Sequence, residues 1–118
     1  MRERALRKGR QASVGTAAAL VLVVALTGCI PKLAGGGDHT CLRQASGSVK
    51  CWGRNLWGEL GIGSTGSVSK VPLDVVTLAD ASDVAGGYGH TCALVSAGAV
   101  KCWGRNNHGQ LGTGTLDD

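Results

Sequence analysis

Four of the five cysteines in this 118-residue chain have spacings that suit disulfide chemistry. Cys41 and Cys51 are equidistant from Ser46, and Cys92 and Cys102 share the same symmetry in a second segment. In an antiparallel hairpin, residues equidistant from the turn face each other, with Cβ atoms about 4.5–5.5 Å apart. That separation is close to what a disulfide requires. The spacing therefore predicts one bridge within each pair.

Two alternatives remain open for these cysteines. One is a zinc site built from His39, Cys41, Cys51 and a partner repeat, although the spacing matches no common Cys-X-X-Cys pattern. The other is a set of free structural thiols. We expect disulfides, with no metal and no cofactor.

His39 and His90 occupy matching positions, each followed by Thr and Cys. A catalytic histidine would occur once, beside a partner carboxylate, whereas a repeated one indicates a structural hydrogen bond through the ring nitrogens. Trp52 and Trp103 also match, and on a strand they point away from the neighbouring cysteine. We interpret them as packing residues between units, and we predict no catalytic residue.

These matches belong to a repeat of 51 residues without gaps, in which 17 of 29 positions agree between residues 35–63 and 86–114. Positions where the copies disagree are better candidates for function, because variety in a loop costs the fold little. Leu56 and Trp57 in the first copy are replaced by Asn107 and His108 in the second. We predict a candidate interaction loop there, with Trp57 as its anchor. The alternative is that Trp57 only packs on a neighbouring loop.

The elements that must position these residues are short strands. Segments 39–44 and 48–52 flank a three-residue loop that ends in Gly47, which is typical of a β-hairpin. Segments 90–95 and 99–103 repeat the pattern around Gly98. Further candidate strands are 73–78 and 82–85, so the sequence predicts an all-β fold.

The run His-Thr-Cys, then Cys-Trp-Gly-Arg-Asn, then Gly-X-Leu-Gly resembles the regulator of chromosome condensation repeat, in its bacterial cysteine-containing form. The resemblance implies a seven-bladed β-propeller with four strands in each blade. Residues 35–118 would then be a partial propeller of about two blades, 35–85 and 86–118, the second incomplete. Because two blades cannot close a ring, we expect a fragment of a longer protein, or self-association if the chain is complete.

The N-terminus looks like an export signal. Residues 1–10 are basic, an apolar run of ten residues follows, and Leu26-Thr27-Gly28-Cys29 resembles the lipobox of bacterial lipoproteins. We expect a signal peptide over 1–28, a lipid on Cys29 and a short tether over 29–34. The alternatives are an ordinary signal peptide or an uncleaved anchor.

Charge argues against a nucleic-acid partner. The net charge of +4 comes from the first ten residues, since seven basic and seven acidic residues follow from Cys29 onward. Such a neutral domain lacks a phosphate-binding footprint. We predict an exported, membrane-anchored scaffold of the cell envelope that binds an unknown protein. The alternatives are an inhibitor of a secreted enzyme, or part of an exported hydrolase whose active site lies in missing blades.

Overall fold

The computed structural model describes residues 30–118, so the predicted signal peptide and the predicted lipid acceptor Cys29 lie outside the described residues. The described part is all-β, with two antiparallel sheets. No helix within 30–118 is long and apolar enough to cross a membrane. The first sheet has the order β1-β2-β3-β4, with strands Lys32–Gly35, His39–Arg43, Val49–Gly53 and Ser69–Asp74. The second has the order β5-β6-β7, with strands Asp83–Gly86, His90–Leu94 and Val100–Gly104.

The two predicted hairpins are β2–β3 and β6–β7. A glycine with positive φ closes the turn of the first hairpin. Gly47 has φ 94°, and its N–H donates to the Gln44 carbonyl at 3.0 Å. In the second hairpin Ala97 and Gly98 both have positive φ, at 63° and 76°. These turns set the register, so that Cys41 lies opposite Cys51 and Cys92 opposite Cys102.

Two sequence-based boundaries are wrong. The predicted tether 29–34 contains most of β1, which pairs with β2 from Lys32↔Arg43 to Gly35↔Thr40. The predicted boundary between residues 85 and 86 likewise cuts β5, the counterpart of β1. Each sheet therefore begins three residues before the repeat boundary. The strand predicted over 82–85 is found one residue later, at Asp83–Gly86, whereas β1 is too short and too rich in small residues to show alternation.

The predicted strand 73–78 is also wrong in position. The fourth strand is Ser69–Asp74, and the apolar residues that follow it leave the sheet. Val75 and Leu78 are buried in the connection between the sheets, at 7% and 6% exposure. Residues 75–78 form a core-filling turn, which periodicity alone does not distinguish from a short buried strand of the same apolar composition.

The core lies between the two sheets. The strands of both sheets share one sequence pattern, but the two sheets bury opposite faces of these strands. In β2 the buried positions are His39, Cys41 and Arg43. In β6 they are Thr91 and Ala93, which have the opposite parity. Since side chains alternate along a strand, the His/Cys face of the first sheet packs against the Thr/Trp face of the second. The full core cluster is Cys41, Val49, Cys51, Leu60, Val75, Leu78, Ala81, Val84, Ala93 and Val95.

Just after β1 and β5, the sheets come close enough for their backbones to form hydrogen bonds. Gly37 donates its N–H to the carbonyls of Gly87 and Tyr88, at 3.1 and 3.2 Å. A Cβ added to Gly36 would lie 2.6 Å from the Gly87 oxygen, and one added to Gly86 would lie 2.6 Å from the Gly35 oxygen. Only glycine allows this approach, which explains why the repeat opens on glycines.

Both hairpins carry a disulfide, with Cα–Cα distances of 4.1 Å for Cys41–Cys51 and 4.0 Å for Cys92–Cys102. The thiols of Cys41 and Cys51 are therefore bonded to each other rather than offered to zinc. The first pair is 1% and 0% exposed and belongs to the core, whereas the second is half-buried on the face that no sheet of residues 30–118 covers.

Replacing each cysteine pair with serine distinguishes the stability that comes from closing the loop from the stability that comes from burying the pair. Both bridges span 10 residues, so each loss should cost about 2–3 kcal/mol of unfolding free energy through loop entropy. The Cys41→Ser/Cys51→Ser variant should lose more than the Cys92→Ser/Cys102→Ser variant, because it also buries unpaired hydroxyls. Urea denaturation of both variants measures the difference. Equal losses, or a larger loss at the second pair, would contradict the assignment of the first pair to the core.

Candidate functional site

One chain of hydrogen bonds joins the two sheets. The Thr91 hydroxyl contacts His39 Nε2 at 2.7 Å and donates to the Glu59 carbonyl at 2.8 Å. The indole Nε1–H of Trp103 donates to the same carbonyl at 3.0 Å. His39 and Thr91 are 4% and 0% exposed, so these bonds form away from water. The predicted structural role of His39 and the predicted packing of Trp103 between units both agree with this arrangement.

The network defines the protonation of His39. Because the single Thr91 hydroxyl proton goes to Glu59, Nε2 must carry the proton that His39 shares with Thr91. Nδ1 is buried without a hydrogen-bond partner. Burial lowers the pKa of His39, and His90 lowers it further against the opposing charges of Glu59 and Asp38. A buried imidazole whose Nε2–H donates from one sheet to the other has a structural role.

Two matching loops rise from the ends of β3 and β7, each held by a buried asparagine. Asn55 Oδ1 accepts from the Leu60 N–H at 3.1 Å, and Asn55 Nδ2 donates to the Ser64 carbonyl at 2.8 Å. Asn106 makes the matching bond to the Leu111 N–H at 3.0 Å. Both asparagines are 0% exposed. They hold the loop backbones, which leaves the two residues after each asparagine free to vary.

A second side chain caps each loop. Glu59 Oε2 accepts from the Trp57 N–H at 2.8 Å, and Gln110 Oε1 accepts from the His108 N–H at 2.8 Å. Glu59 is 1% exposed because the second sheet covers it, whereas Gln110 is half-buried. The same bond therefore orients the residue at position 57 in one copy and at position 108 in the other.

Trp57 lies where the two sheets meet, between two arginines. The guanidinium carbon of Arg54 is 4.4 Å from the Trp57 ring centroid, and that of Arg105 is 4.6 Å away. Arg54 and Arg105 are equivalent residues of the two repeats, and both stack on a single indole, an arrangement that favours cation–π attraction. The sequence does not predict this stacking, because a single loop supplies the ring to two arginines that lie 51 residues apart.

Tyr88 completes this cluster. Its ring centroid is 6.3 Å from that of Trp57, with the planes tilted by 45°, and Tyr88 is 63% exposed. Gly89 next to it lies against the indole, since a Cβ there would be 2.7 Å from a Trp57 ring carbon. We call Arg54, Trp57, Tyr88 and Arg105 the Trp57 surface. Sequence reasoning missed Tyr88, although the criterion of disagreement between copies would have found it, because its counterpart is Gly37.

The two arginines of the Trp57 surface differ in whether they have an acidic partner. Arg54 forms a salt bridge with Asp38 at 3.1 Å, and the Asp38 carbonyl also accepts the Arg54 backbone N–H. Asp38 is replaced by Gly89 in the second copy, so Arg105 lacks the matching carboxylate. Within residues 30–118, Arg105 forms no salt bridge. The Trp57 surface therefore presents one neutralised and one available guanidinium on either side of an indole.

The structure separates the predicted interaction residues into two groups. Leu56 is 49% exposed and Trp57 is half-buried against the neighbouring sheet. Asn107 and His108 are exposed in the equivalent loop of the second sheet, where Gln110 bonds both of them. No hydrogen bond in the described part links the two loops. Nor do residues 30–118 contain a group of three His, Cys, Asp or Glu side chains that could hold a metal ion.

Thr91→Val should destabilise the protein by about 1–3 kcal/mol, because it removes a buried hydroxyl and leaves the His39 N–H without an acceptor. Thr40→Val is the matched control, since Thr40 is the same residue of the first repeat and lies on the face that no sheet of residues 30–118 covers. The control should change the unfolding free energy by less than about 0.5 kcal/mol. Thermal and urea unfolding measure both, and equal effects would refute the role of Thr91.

Comparison with known protein families adds an independent finding. Two family models, both described as the regulator of chromosome condensation (RCC1) repeat, match this chain. One matches residues 32–56 and 81–110, and the other matches residues 46–94. The first match begins at the first residue of β1, in agreement with the strand and not with the predicted tether.

Individual relatives are much longer than this chain. It is 37% identical over 95 residues to the human probable E3 ubiquitin-protein ligase HERC6, covering 79% of this chain and 9% of the relative. It is 35% identical over 85 residues to the ultraviolet-B receptor UVR8 of Arabidopsis thaliana, covering 70% of this chain and 19% of the relative. The chain thus spans less than a fifth of the length of either protein.

Solved structures agree on the fold. Human WBSCR16 superposes with a TM-score of 0.65 at 30% identity, over 74% of this chain and 24% of the other. Yeast RCC1 (Prp20), in its complex with Kap60, superposes with a TM-score of 0.61 at 28% identity, over 69% of this chain and 18% of the other. The two sheets described above are therefore two blades of a propeller, one with four strands and one with three.

Proposed function

Because this chain belongs to the regulator of chromosome condensation repeat family, we propose that it is a non-catalytic module that binds a protein partner through the Trp57 surface. The composition of that surface is the observation that carries the proposal. Trp, Tyr and Arg are the residue types that dominate the energetics of protein interfaces. Here all three occur within one cluster at the junction of two blades.

The cluster is also preorganised, which lowers the entropic cost of binding. The Trp57 backbone is held by Glu59, its ring lies against Gly89, and two guanidinium groups flank it. A partner would find the indole already oriented. Tyr88, at 63% exposure, and the guanidinium of Arg105 would then supply a hydroxyl and a charged donor at its edge.

Two yeast structures support a protein as the class of partner. One shows yeast RCC1 (Prp20) bound to Kap60, and the other concerns the binding of Prp20p to Gsp1p and histones. Those partners are proteins of the relative, and we carry over only that a surface of this family can bind protein. An inhibitor of a secreted enzyme would use the same kind of surface, whereas no observation on residues 30–118 favours a hydrolase.

Export and lipid anchoring are the finer part of the proposal, and they depend on the sequence before the described residues. Cys29 precedes β1 by three residues, so the chain from the lipid to the first strand would span roughly 10 Å. A lipid on Cys29 would therefore hold the first blade close to a membrane surface while the protein stays outside the bilayer.

Trp57→Ala should remove most of the affinity for the partner, by about 30-fold if Trp57 contributes a typical hot-spot energy of 2 kcal/mol. The experiment is affinity capture from envelope extract by the purified protein, compared across wild type, Trp57→Ala and the control Lys70→Ala, which changes an exposed residue of β4. Circular dichroism verifies that all three fold. A protein captured by wild type and by the control, but not by Trp57→Ala, supports the surface, and equal capture by all three contradicts it.

Cys29→Ala should abolish incorporation of labelled palmitate when the chain is expressed in a bacterial host, because the thiol is the proposed acceptor. In the same variant, the protein itself should shift from the detergent phase to the aqueous phase on detergent partitioning. The control is Cys92→Ser/Cys102→Ser, which removes two other cysteines and leaves no unpaired thiol behind. Persistent labelling of the Cys29→Ala variant would contradict the lipid anchor.

A further inference from the structure

One difference between the repeats changes the charge beside the indole of Trp57. In the first blade, Asp38 Oδ2 accepts from Arg54 Nη1 at 3.1 Å, and the Asp38 carbonyl accepts the Arg54 N–H at 2.9 Å. In the second blade, the Gly89 carbonyl accepts the Arg105 N–H at 2.8 Å, so the backbone bond is kept. Only the carboxylate is missing, because glycine has no side chain.

The indole itself keeps a carboxylate out of position 89. A Cβ on Gly89 would lie 2.7 and 2.9 Å from two ring carbons of Trp57, Cε3 and Cζ3, and 3.2 Å from Arg105 Cβ. Because packed atoms do not approach a ring this closely, an aspartate at position 89 would have to displace the tryptophan. The second blade therefore cannot supply a carboxylate from the position that supplies it in the first.

The ion pair of the first blade is formed within that blade. Asp38 lies in the turn between β1 and β2, and Arg54 directly follows β3. The second blade packs against this site and places Arg105 on the Trp57 ring, yet among residues 30–118 no acidic group of the second blade pairs with Arg54. A neighbouring blade thus leaves this arginine to its own aspartate, and by the repeat Arg105 depends in the same way on position 89.

Arg105 is preorganised to bind an anion. Its guanidinium carbon lies 4.6 Å from the Trp57 ring centroid, and a guanidinium that stacks on a ring keeps a fork of N–H donors at its edge. The side chain is half-buried, so part of its hydration is already lost. A guanidinium fork matches the two oxygens of a carboxylate, and such charged pairs are roughly twice as strong as neutral hydrogen bonds.

An aromatic ring lies next to this arginine. Tyr88 precedes Gly89, is 63% exposed, and has its ring centroid 6.3 Å from that of Trp57. An apolar side chain packed on Tyr88 would exclude water from an ion pair beside it, as the surroundings of an interface hot spot do. The ring therefore favours a ligand that combines a carboxylate with an apolar group.

We propose, on the basis of the function proposed above, that the partner is a polypeptide with an Asp or Glu next to an apolar residue. Its carboxylate takes at Arg105 the place that Asp38 takes at Arg54. A nucleic acid fits less well, because a phosphate backbone that followed this surface would meet the exposed Asp38. The chain from Cys29 onward, with seven basic and seven acidic residues, also lacks the excess of positive charge that such a backbone requires.

The probe is a phage-displayed library of random linear peptides, because the natural partner is unidentified. Peptides selected on the purified chain should be enriched in Asp or Glu next to an apolar residue. Selected peptides are then synthesised with a fluorescent label and titrated with wild type and variants, and anisotropy measures the dissociation constants. Circular dichroism verifies that each variant folds.

Arg105→Gln should weaken the binding of a selected peptide by roughly tenfold, because it removes a charge-assisted hydrogen bond. Lys101→Gln is the matched control, since it removes the same charge from an exposed residue of the same blade, and should weaken binding by less than about twofold. Arg105→Lys keeps the charge without the fork and should fall between the two. A peptide whose acidic residue is changed to its amide should bind wild type more weakly but lose nothing further with Arg105→Gln.

Selected peptides without acidic enrichment would contradict the carboxylate site, and so would equal effects of Arg105→Gln and Lys101→Gln. A labelled single-stranded oligonucleotide that binds through Arg105 as tightly as the peptides would overturn the choice of a polypeptide. Trp57→Ala, titrated with the same peptides, separates this inference from the proposed function. Loss of binding in Trp57→Ala but not in Arg105→Gln would leave the Trp57 surface standing and refute the acidic partner. The reverse pattern would refute Trp57 as the anchor and keep the carboxylate site, whereas a library that yields no specific peptide contradicts both.

Discussion

The hydroxyl group of Thr91 is the contact on which the relation of the two blades depends. It accepts a hydrogen bond from a buried imidazole of the first blade and donates one to a carbonyl of the same blade. A hydroxyl can do both, and without it the His39 Nε2–H would lack its acceptor. The Trp103 indole donates to the same carbonyl, so these two side chains add to the backbone bonds of Gly37 in holding the second blade against the first.

This contact depends on the alternation of side chains along the strands of both blades. The face with His and Cys belongs to one side of every blade, and the face with Thr and Trp to the other. Between the two blades, the first kind of face from one blade meets the second kind from its neighbour, and the core forms there. Consequently the same residues are buried or exposed according to what lies next to them, as Val49 and Val100 show.

The residues that do not hold the sheets and loops together are then available for function. The buried asparagines and the capping side chains hold the loops, and this lets the residues between them vary without cost to the sheet. At the blade junction, one of these variable residues is Trp57, which contacts groups from both repeats. A site of this kind exists only because two repeats are packed together, and a single repeat would supply half of it.

A large part of the fold was predictable from the sequence, because its signals are local. The symmetry of Cys41 and Cys51 about their turn predicted the register of the hairpin, and alternation placed Trp103 away from the cysteine of its strand. The strand β1 was missed because Lys32–Gly35 is short and carries no alternation, and residues 75–78 were misread because buried turns and buried strands share the same apolar composition.

The sequence by itself determined the repeat, the hairpins, the positions of the cysteines and the loops in which copies differ. All of these depend on spacing along the chain and on the two-residue period of a strand. Only the tertiary structure decided that Arg54 and Arg105 stack on one indole, that Tyr88 joins them, and that Thr91 links His39 to the Glu59 carbonyl. Those facts concern residues far apart in the chain, and what brings them together is the packing of one blade against the next.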